Sequence, residues 1–446
     1  MIFRPSSRLA PLLMPLTLLA VAQLAAAQLQ LSQNFDSGSL NVATSSITAT
    51  ANPAQPLIAL DPRRTWNNQH WWVSFSLDGA TAMQPKFEVP TSGAFQSYSS
   101  AHRYVYSYDG ENWSFFTNGG IANGKYWFQN STVFTTNQVY IAYGLPYSMD
   151  RTGAWVSQVN ASPWVTPTAT ANANLVVGQT LGTAGGGYND SSGRSVDSQN
   201  LYGLRITDPA ATGPKAKIVM IGGNHSGEPT GSHALQGMVD FVLSNDPRAV
   251  QLRKVAEFYV YPQTDPEGRA AGYYRSNPQN PADNHNRQWS NPTGFTELEI
   301  LQASMRADTG ADIDYFFDFH SYGSATSYKL NLPNADRTSD YVLALLEING
   351  MPLAAAETDP GTARGWATMA GGLNADFSFT PEFGFLPGWQ AADYQQIGAD
   401  YALALHAVLA PEPTSCAILL ASCAAGLLRR TRRPGRAALG LGVFRP

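Results

Sequence analysis

The chain has 446 residues, of which 43% are hydrophobic and only 14% are charged. This composition is typical of ordered globular domains, and at roughly 150 residues per domain it predicts two or three of them. The net charge of −5 provides no cationic field, so no nucleic-acid partner is expected. Both cysteines, Cys416 and Cys423, lie near the C-terminal end, which excludes a cysteine protease, thiol redox chemistry or a Cys-ligated zinc elsewhere.

The first residues contain the three parts of a secretory signal. Arg4 and Arg8 precede an apolar run over 9–22, and three alanines then provide a small-residue cleavage site before Gln28. A membrane anchor is the alternative, but two prolines interrupt the run, and it is shorter than the ~20 residues that a spanning helix needs. We therefore expect export, with a mature chain that begins near Gln28.

The other end of the chain resembles a bacterial sorting signal. The tripeptide Pro411-Glu412-Pro413 precedes a short apolar run over 414–428 and an arginine-rich cluster over 429–433. This order resembles the PEP-CTERM signal, which implies a tail that contacts the membrane or a sorting enzyme transiently and is then cut. The alternative is an ordinary C-terminal anchor with arginines on the cytoplasmic side. Both interpretations place the body of the protein in the cell envelope, at the cell surface or outside the cell.

Alternating aromatic runs dominate the chain from about residue 30 to 155. Examples are 71–75, 104–108 and 139–143, and turn-forming residues such as those at 108–112 separate them. Short strands with regular turn signals predict an antiparallel β-sandwich, and no long helix is expected in this region.

After residue 160 the pattern changes to strands that alternate with helices. Strands are predicted at 217–221, 257–261 and 313–319, and helices at 233–242 and 297–306. This alternation predicts an α/β domain whose largely parallel sheet binds ligands beyond the carboxyl ends of its strands. The predicted division is a signal peptide at 1–27, a β-sandwich domain at 28–155, an α/β catalytic domain at 156–410 and a sorting tail at 411–446.

Two of the seven histidines directly follow predicted strands in loops of small or polar residues. His225 is followed three residues later by Glu228, and His320 follows the strand at 313–319. Two histidines and a glutamate from two strand ends form a three-ligand set that leaves zinc a fourth position for water. Taken singly, a histidine at a strand end is more often a hydrogen-bonded packing residue than a metal ligand.

A carboxylate and several arginines complete the candidate chemistry. A hydrolase of this kind needs a carboxylate that accepts the proton of the attacking water, and we predict that Glu382 has this role. Glu382 lies among phenylalanines, where burying a carboxylate without a partner would cost several kcal/mol. The alternative is a solvent-facing glutamate at a sheet edge. Arg275 and Arg287, in polar loops between the histidines, suit the binding of a carboxylate or the stabilisation of an oxyanion, although any arginine can also be a solvated surface charge.

The order of these motifs along residues 225–382 resembles that of the zinc carboxypeptidase family, that is, the carboxypeptidase A-like metallopeptidases. The resemblance is strongest to the cytosolic carboxypeptidase branch of that family. The sequence departs from the family pattern at 265–268, where Asp-Pro-Glu-Gly replaces Asn-Pro-Asp-Gly. The resemblance implies an α/β zinc carboxypeptidase fold, with a mixed, largely parallel sheet flanked by helices, preceded by an antiparallel β-sandwich. It also implies that one zinc ion is bound per chain and that peptide or protein C-termini are the substrates. The implied zinc ligands are His225, Glu228 and His320, the carbonyl-polarising residue is Arg275, the carboxylate-binding pair is Asn286 and Arg287, and the general base is Glu382.

The resemblance leaves the substrate open. Arg364, in a segment that echoes the family's Gly-Thr-Gly-Arg, suggests a pocket for an acidic side chain. One alternative is an exported zinc amidase that acts on cell-wall peptides, and another is a surface protein that binds glycans or proteins and carries a relict metal site. His285 is expected to form a loop hydrogen bond, and His233 to lie on the helix that follows Glu228.

Overall fold

The computed structural model describes residues 29–94, 98–181, 188–190, 193–323, 328–331, 339–350, 352–354 and 359–410. The predicted signal peptide at 1–27 and the predicted sorting tail at 411–446 lie outside these ranges. Within them, no helix is both long enough and apolar enough to cross a membrane.

The N-terminal region forms two five-stranded sheets. One has the order β1-β4-β10-β6-β7 and the other β2-β3-β5-β9-β8, and all neighbours are antiparallel except the parallel pair β3 and β5. The strands are β1 (Gln30–Ser32), β2 (Ser46–Thr48), β3 (Leu57–Ala59), β4 (Ser74–Asp78), β5 (Lys86–Pro90), β6 (Val105–Ser107), β7 (Trp113–Phe115), β8 (Asn118–Ala122), β9 (Lys125–Gln129) and β10 (Gln138–Ala142).

Buried aromatic rings connect the two sheets. Phe75 of β4 lies 5.8 Å from Phe87 of β5, measured between ring centroids, and Tyr104, which precedes β6, stacks at 4.1 Å on Phe128 of β9. Aromatic rings fill such an interior with few side chains because each buries a large apolar area. The aromatic runs in the sequence therefore supply the core of this region.

A helix that the sequence analysis did not predict ends the N-terminal region. Helix α1 (Met149–Val159) crosses the predicted domain boundary at 155, and Ser148 caps its first turn by accepting a hydrogen bond from the Arg151 amide. Its buried side chains, including Trp155 and Val159, recur at helical spacing. The flanking β-type aromatic runs concealed this short helical pattern.

The α/β domain is built on an eight-stranded mixed sheet with the order β11-β16-β18-β17-β19-β22-β20-β21. The four central strands, β18, β17, β19 and β22, are mutually parallel, as the sequence predicted for this part of the sheet, whereas β11, β16 and β20 add antiparallel pairs. The strands of the domain are β11 (Val165–Pro167), β12 (Val176–Gln179), β13 (Tyr188–Asn189), β14 (Ser195–Val196), β15 (Asn200–Tyr202), β16 (Leu204–Ile206), β17 (Ala216–Gly222), β18 (Ala256–Tyr261), β19 (Tyr315–Ser321), β20 (Tyr328–Asn331), β21 (Leu353–Ala354) and β22 (Phe377–Phe383).

Helices cover both faces of this sheet. On β17, Ile218 and Met220 belong to the same core cluster as the buried side chains of α2 and α8, whereas Val219 and Ile221 pack in the cluster that includes α5 and α7. This alternation is the two-residue period of a strand that is buried on both faces. The helices are α2 (Pro229–Leu243), α3 (Pro247–Val255), α4 (Pro266–Ala270), α5 (Thr296–Thr309), α6 (Asp340–Asn349), α7 (Ala363–Ala367) and α8 (Ala391–Leu409).

The N-terminal region packs against the α/β domain through buried polar and aromatic contacts. Arg63 forms a buried ion pair with Asp190. Trp71, just before β4, contacts Tyr274 at 4.9 Å and Phe385 at 5.5 Å between ring centroids. These contacts bring the N-terminal region next to the loop that holds Arg275.

Candidate active site

The three predicted metal ligands converge at the carboxyl ends of β17 and β19. Glu228 Oε1 lies 2.9 Å from His225 Nδ1, and Glu228 Oε2 lies 2.8 Å from His320 Nδ1. One ligand atom from each residue lies within 4.8 Å of the others, and all three side chains are buried. Both imidazoles thus present the same nitrogen, Nδ1, to the carboxylate, an arrangement that suits a single cation between them.

Two glycines allow the backbone to form this site. Gly223, after β17, has a φ of +65°, a left-handed conformation that glycine adopts without strain, and it turns the chain towards His225. Glu228 is the N-cap residue of α2. A Cβ atom on Gly231 would lie 2.8 Å from backbone atoms of His320, so glycine lets the first turn of α2 approach β19.

Burial and the neighbouring charges set the protonation of the three ligands. Burial and the charge of Arg275 lower the pKa of His225 to about 3. Burial opposes protonation of His320 too, but the carboxylates of Asp318 and Glu228 outweigh it and raise the pKa of this histidine to about 10. Burial likewise raises the pKa of Glu228, yet the two histidines together keep it well below its usual value. A metal ion would replace the proton on His320, because imidazole binds metal in its neutral form.

Residues that the sequence analysis did not single out orient both histidines. Asp318 Oδ2 lies 2.9 Å from His320 Nε2, and Asn284 Oδ1 lies 2.9 Å from His225 Nε2. Both acceptors fix the Nε2 nitrogen as the protonated one and leave Nδ1 as the ligand atom. Asp318 could have been found in the sequence, since it precedes His320 by two residues on the same strand. Asn284 lies 59 residues from His225, and its role depends on the fold.

The predicted general base lies beside the ligands across the sheet. Glu382 of β22 pairs in register with His320 of β19, and its side chain is partly exposed. Side chains at paired positions of adjacent strands project from the same face of the sheet. The structure therefore brings Glu382 to the site, as the sequence predicted.

Arg275 lies between the metal ligands and the N-terminal region. Its guanidinium donates a hydrogen bond to the Tyr274 hydroxyl at 3.1 Å and lies 5.4 Å from the ring centroid of Trp66. Burial lowers the pKa of Arg275, but Tyr274, Glu228 and Glu382 together raise it above its usual value. The sequence analysis placed Arg275 in the site, whereas the contribution of Trp66 is visible only in the fold.

The predicted substrate-binding residues lie on the other side of His320. The Asn286 amide nitrogen is 3.2 Å from His320 Nε2, and the Asn286 amide oxygen accepts the Ala363 backbone N–H at 2.8 Å. Arg287 is partly exposed and forms an ion pair of 3.1 Å with Asp359. Arg364, on α7, is buried. The Asn-Arg motif and the segment around Arg364 thus pack together, although 77 residues separate Asn286 from Ala363.

Two other histidines of the α/β domain, His285 and His233, are held by hydrogen bonds. His285, as predicted, is a hydrogen-bonded loop residue: Nδ1 lies 2.9 Å from Asn224 Oδ1, and Nε2 lies 3.1 Å from Glu297 Oε1. His233 lies on α2, as predicted, and its Nε2 donates to the Pro146 carbonyl at 3.1 Å. Neither ring is among the groups that converge on Glu228.

A large groove elsewhere in the molecule is separate from this site. It has a volume of about 1680 Å³ and lies between the N-terminal segment around Leu31 and the loops of Arg63, Arg194 and Tyr273. None of the predicted site residues lines it. The groove is therefore distinct from the strand-end site.

The comparison with protein families agrees with this geometry. Residues 189–348, which contain all three predicted metal ligands, match the family described as zinc carboxypeptidase. This segment of the chain is therefore similar to zinc carboxypeptidases. The matched family is one of peptidases, and its zinc suits the donor set of two imidazoles and one carboxylate in this domain.

Curated relatives match parts of the chain. Human cytosolic carboxypeptidase 6 is 29% identical over 145 residues, which are 31% of this chain and 28% of that protein. Human cytosolic carboxypeptidase 2 is 38% identical over 86 residues, which are 18% of this chain and 10% of that protein. The chain thus matches less than a third of the length of each of these relatives, and its similarity to cytosolic carboxypeptidases covers a limited segment.

Solved structures extend the likeness of the fold. A metallo-carboxypeptidase from Burkholderia cenocepacia has a TM-score of 0.66 at 20% identity, over 85% of this chain and 98% of that one. A metallo-carboxypeptidase from Pseudomonas aeruginosa, in complex with (2-guanidinoethylmercapto)succinic acid, has a TM-score of 0.64 at 20% identity, with the same coverage. Because 85% of this chain exceeds the α/β domain, the likeness includes the N-terminal region. These similarities confirm the carboxypeptidase fold with its mixed sheet and flanking helices.

Proposed function

We propose that this protein is a zinc-dependent metallocarboxypeptidase that hydrolyses C-terminal amino acids from peptides or proteins. The observation that carries the proposal is the convergence of His225, Glu228 and His320 at two strand ends, with Glu382 in register with His320 on the adjacent strand. Two imidazoles and one carboxylate leave zinc an open position, which is typical of a catalytic and not a structural zinc site.

Each of the remaining site residues has a proposed task in the reaction. One zinc ion bound by the three ligands would supply an activated water and a Lewis acid for the scissile carbonyl. The Glu382 carboxylate would accept a proton from the attacking water and pass it to the leaving amine. Arg275, partly buried beside Tyr274 and Glu228, would stabilise the negative charge that develops on the carbonyl oxygen.

Asn286 and Arg287 would bind the terminal carboxylate of the substrate. Asn286 is anchored by the Ala363 backbone N–H, and Arg287 is held by Asp359 while it stays partly exposed. We further propose that Arg364 favours substrates with an acidic side chain at the C-terminus. A library of peptides that differ only in the last residue tests this: preferential release of Glu and Asp supports it, and equal release of neutral residues contradicts it.

Glu382→Gln provides the sharpest test of the activity. Glutamine has nearly the same shape but cannot take up the proton, so we expect turnover to fall by several orders of magnitude while the zinc content stays equal to that of the unaltered protein. The matched control is Glu299→Gln, which changes an exposed glutamate on α5 and should leave turnover unaltered. Unchanged turnover in Glu382→Gln would remove Glu382 from this role.

Chelation separates this proposal from the alternatives. The purified protein should release C-terminal amino acids from a mixed peptide library, and removal of the zinc by a chelator should abolish that release. Bound zinc without such release, together with cleavage of cell-wall peptides, would identify an amidase instead. A protein with neither zinc nor release would be a surface binding protein.

The ends of the chain support a proposal about location. We propose that the protein is exported to the cell envelope, the cell surface or the medium, through the signal at 1–27 and the PEP-CTERM-like tail at 411–446. Mass spectrometry of the mature protein tests this, because the first residue should lie near Gln28. We also propose that the two N-terminal sheets, joined by Phe75 and Phe87, form the predicted β-sandwich.

A further inference from the structure

A second group of potential metal ligands lies inside the α/β domain. Asp265 precedes α4, His285 begins a 3₁₀ turn, and Glu297 lies in the first turn of α5. Each residue offers one ligand atom, these atoms lie within 4.8 Å of one another, and all three side chains are at most 2% exposed. The proposed peptidase reaction uses none of the three.

The hydrogen bonds around His285 fix its orientation. The Trp289 indole N–H can only donate, and it points to Asn224 Oδ1 at 3.1 Å, so this atom is the oxygen of the Asn224 amide. The same oxygen lies 2.9 Å from His285 Nδ1, which therefore carries a proton. His285 Nε2 then faces Glu297, 3.1 Å away. A histidine whose second nitrogen donates to a protein acceptor is oriented as metal-binding histidines are.

The two carboxylates lack the hydrogen bonds that buried oxygens normally have. Glu297 Oε1 accepts from the Asn277 amide at 2.6 Å, and Asp265 Oδ1 accepts from the Gly268 backbone at 2.9 Å. Within the part of the chain that the structure describes, Glu297 Oε2 and Asp265 Oδ2 have no hydrogen-bond partner. Leaving such oxygens unsatisfied inside a protein is costly.

The charges of the group are also unbalanced. Two carboxylates face one imidazole, so even a protonated His285 leaves a negative charge in a buried place. Burial and the charge of Glu297 raise the pKa of Asp265 to about 7, although the charge of His285 acts in the opposite direction. A divalent cation between the three side chains would use both free oxygens and His285 Nε2, and would neutralise the excess charge.

We propose that Asp265, His285 and Glu297 bind a second divalent cation, separate from the zinc of the peptidase site. One imidazole and two carboxylates suit a first-row transition ion such as Zn²⁺ or Mn²⁺ better than Ca²⁺ or Mg²⁺, which prefer oxygen ligands alone. The ion would hold the three side chains together and offset their excess negative charge, since the proposed peptidase reaction uses none of them. It would also fix His285, whose partner Asn224 donates to Asp318 Oδ2 at 3.2 Å.

Counting metal ions in the full-length protein and its variants tests the proposal. Each protein is incubated with excess Zn²⁺ or Mn²⁺ and freed of unbound metal, and the bound metal is measured by mass spectrometry. We expect two ions per chain in the unaltered protein and one in Asp265→Asn. His320→Ala, which disrupts the peptidase site, should also retain one ion, and the double variant none. The matched control is Glu267→Gln, in the same segment: the Glu267 carboxylate accepts from Gln279 at 2.9 Å and lies outside the group, so two ions should remain.

The counts distinguish failure of this proposal from failure of the proposed function. One ion in the unaltered protein and none in His320→Ala would overturn the second site, and the two carboxyl groups would then share a proton instead. Two ions that persist in Asp265→Asn would overturn it too. If circular dichroism shows that Asp265→Asn does not fold, Glu297→Gln replaces it with the same expected counts. A count in His320→Ala equal to that of the unaltered protein would contradict the peptidase site alone.

Discussion

Replacing Asp318 by asparagine measures how much the hydrogen bonds around the ligands contribute to metal affinity. Asp318 is fully buried, and its Oδ2 accepts from both His320 Nε2, at 2.9 Å, and Asn224 Nδ2, at 3.2 Å. Asparagine has the same size, so the packing should survive while the negative charge that orients and polarises the imidazole is lost. The substitution thus isolates one electrostatic contribution to the metal site.

The expected magnitude follows from the kind of hydrogen bond that is lost. A hydrogen bond to a charged group contributes about 1.5–3 kcal/mol. Since about 1.4 kcal/mol corresponds to a factor of ten in a dissociation constant, Asp318→Asn should weaken zinc binding by about 10- to 100-fold. This range agrees with the usual effect of removing a residue that orients a metal-binding histidine.

The assay is a zinc titration in competition with a chromophoric chelator at neutral pH. Asp312→Asn is the matched control, since Asp312 is exposed and precedes the same strand, so its zinc affinity should not change. Circular dichroism should show the same secondary structure for both variants. An unchanged zinc affinity in Asp318→Asn would refute the idea that this carboxylate helps to hold the metal ligand.

Three further perturbations test other parts of the structure. Trp66→Ala should lower kcat/KM by about 2- to 30-fold at unchanged zinc content, because a cation–π contact contributes about 0.5–2 kcal/mol and Trp66 holds Arg275. Asp190→Asn should lower the free energy of unfolding, measured in urea, by about 3 kcal/mol or more, because it leaves the buried Arg63 without its charged partner. Burial is the main reason that the folded-state pKa of His102 is lowered from 6.5 to about 3. In acid, His102 therefore takes up a proton more readily in the unfolded chain, and acid favours unfolding. Protonation of His102 should leave the free energy of unfolding unaffected above pH ~6.5 and should lower it by about 2 kcal/mol at pH 5.

Each of these perturbations has a control and a contradicting result. Trp127→Ala removes a similar cation–π contact with Lys86, on β5 and β9, and should not alter kcat/KM; an equal loss in both variants would contradict the role of Trp66. Equal unfolding free energies for Asp190→Asn and the unaltered protein would show that the ion pair contributes nothing. His102→Gln should flatten the loss of stability between pH 6.5 and 5, and an unaltered slope would exclude His102 as its source.

The sequence by itself predicted the central strands, the helices that follow them and the three residues that meet at the candidate metal site. These features depend on short-range patterns. Burial on both faces makes β17 and β19 nearly continuous apolar runs, and the spacing of His225 and Glu228 places both at one strand end. The sequence also placed His320 at the end of another such strand, but the sheet order β18-β17-β19 decided that this strand lies beside β17 and brings His320 to Glu228.

Only the tertiary structure decided which distant residues surround that site. Trp66 approaches Arg275 from another region of the chain, and Asn284 orients His225 from a loop after α4. Asp265, His285 and Glu297 likewise form a group only where three separate loops and helix ends meet. Periodicity and spacing record which face of a strand or helix is buried, but they carry no information about the partner on the other side. That partner is chosen when the sheet, its flanking helices and the N-terminal region pack together.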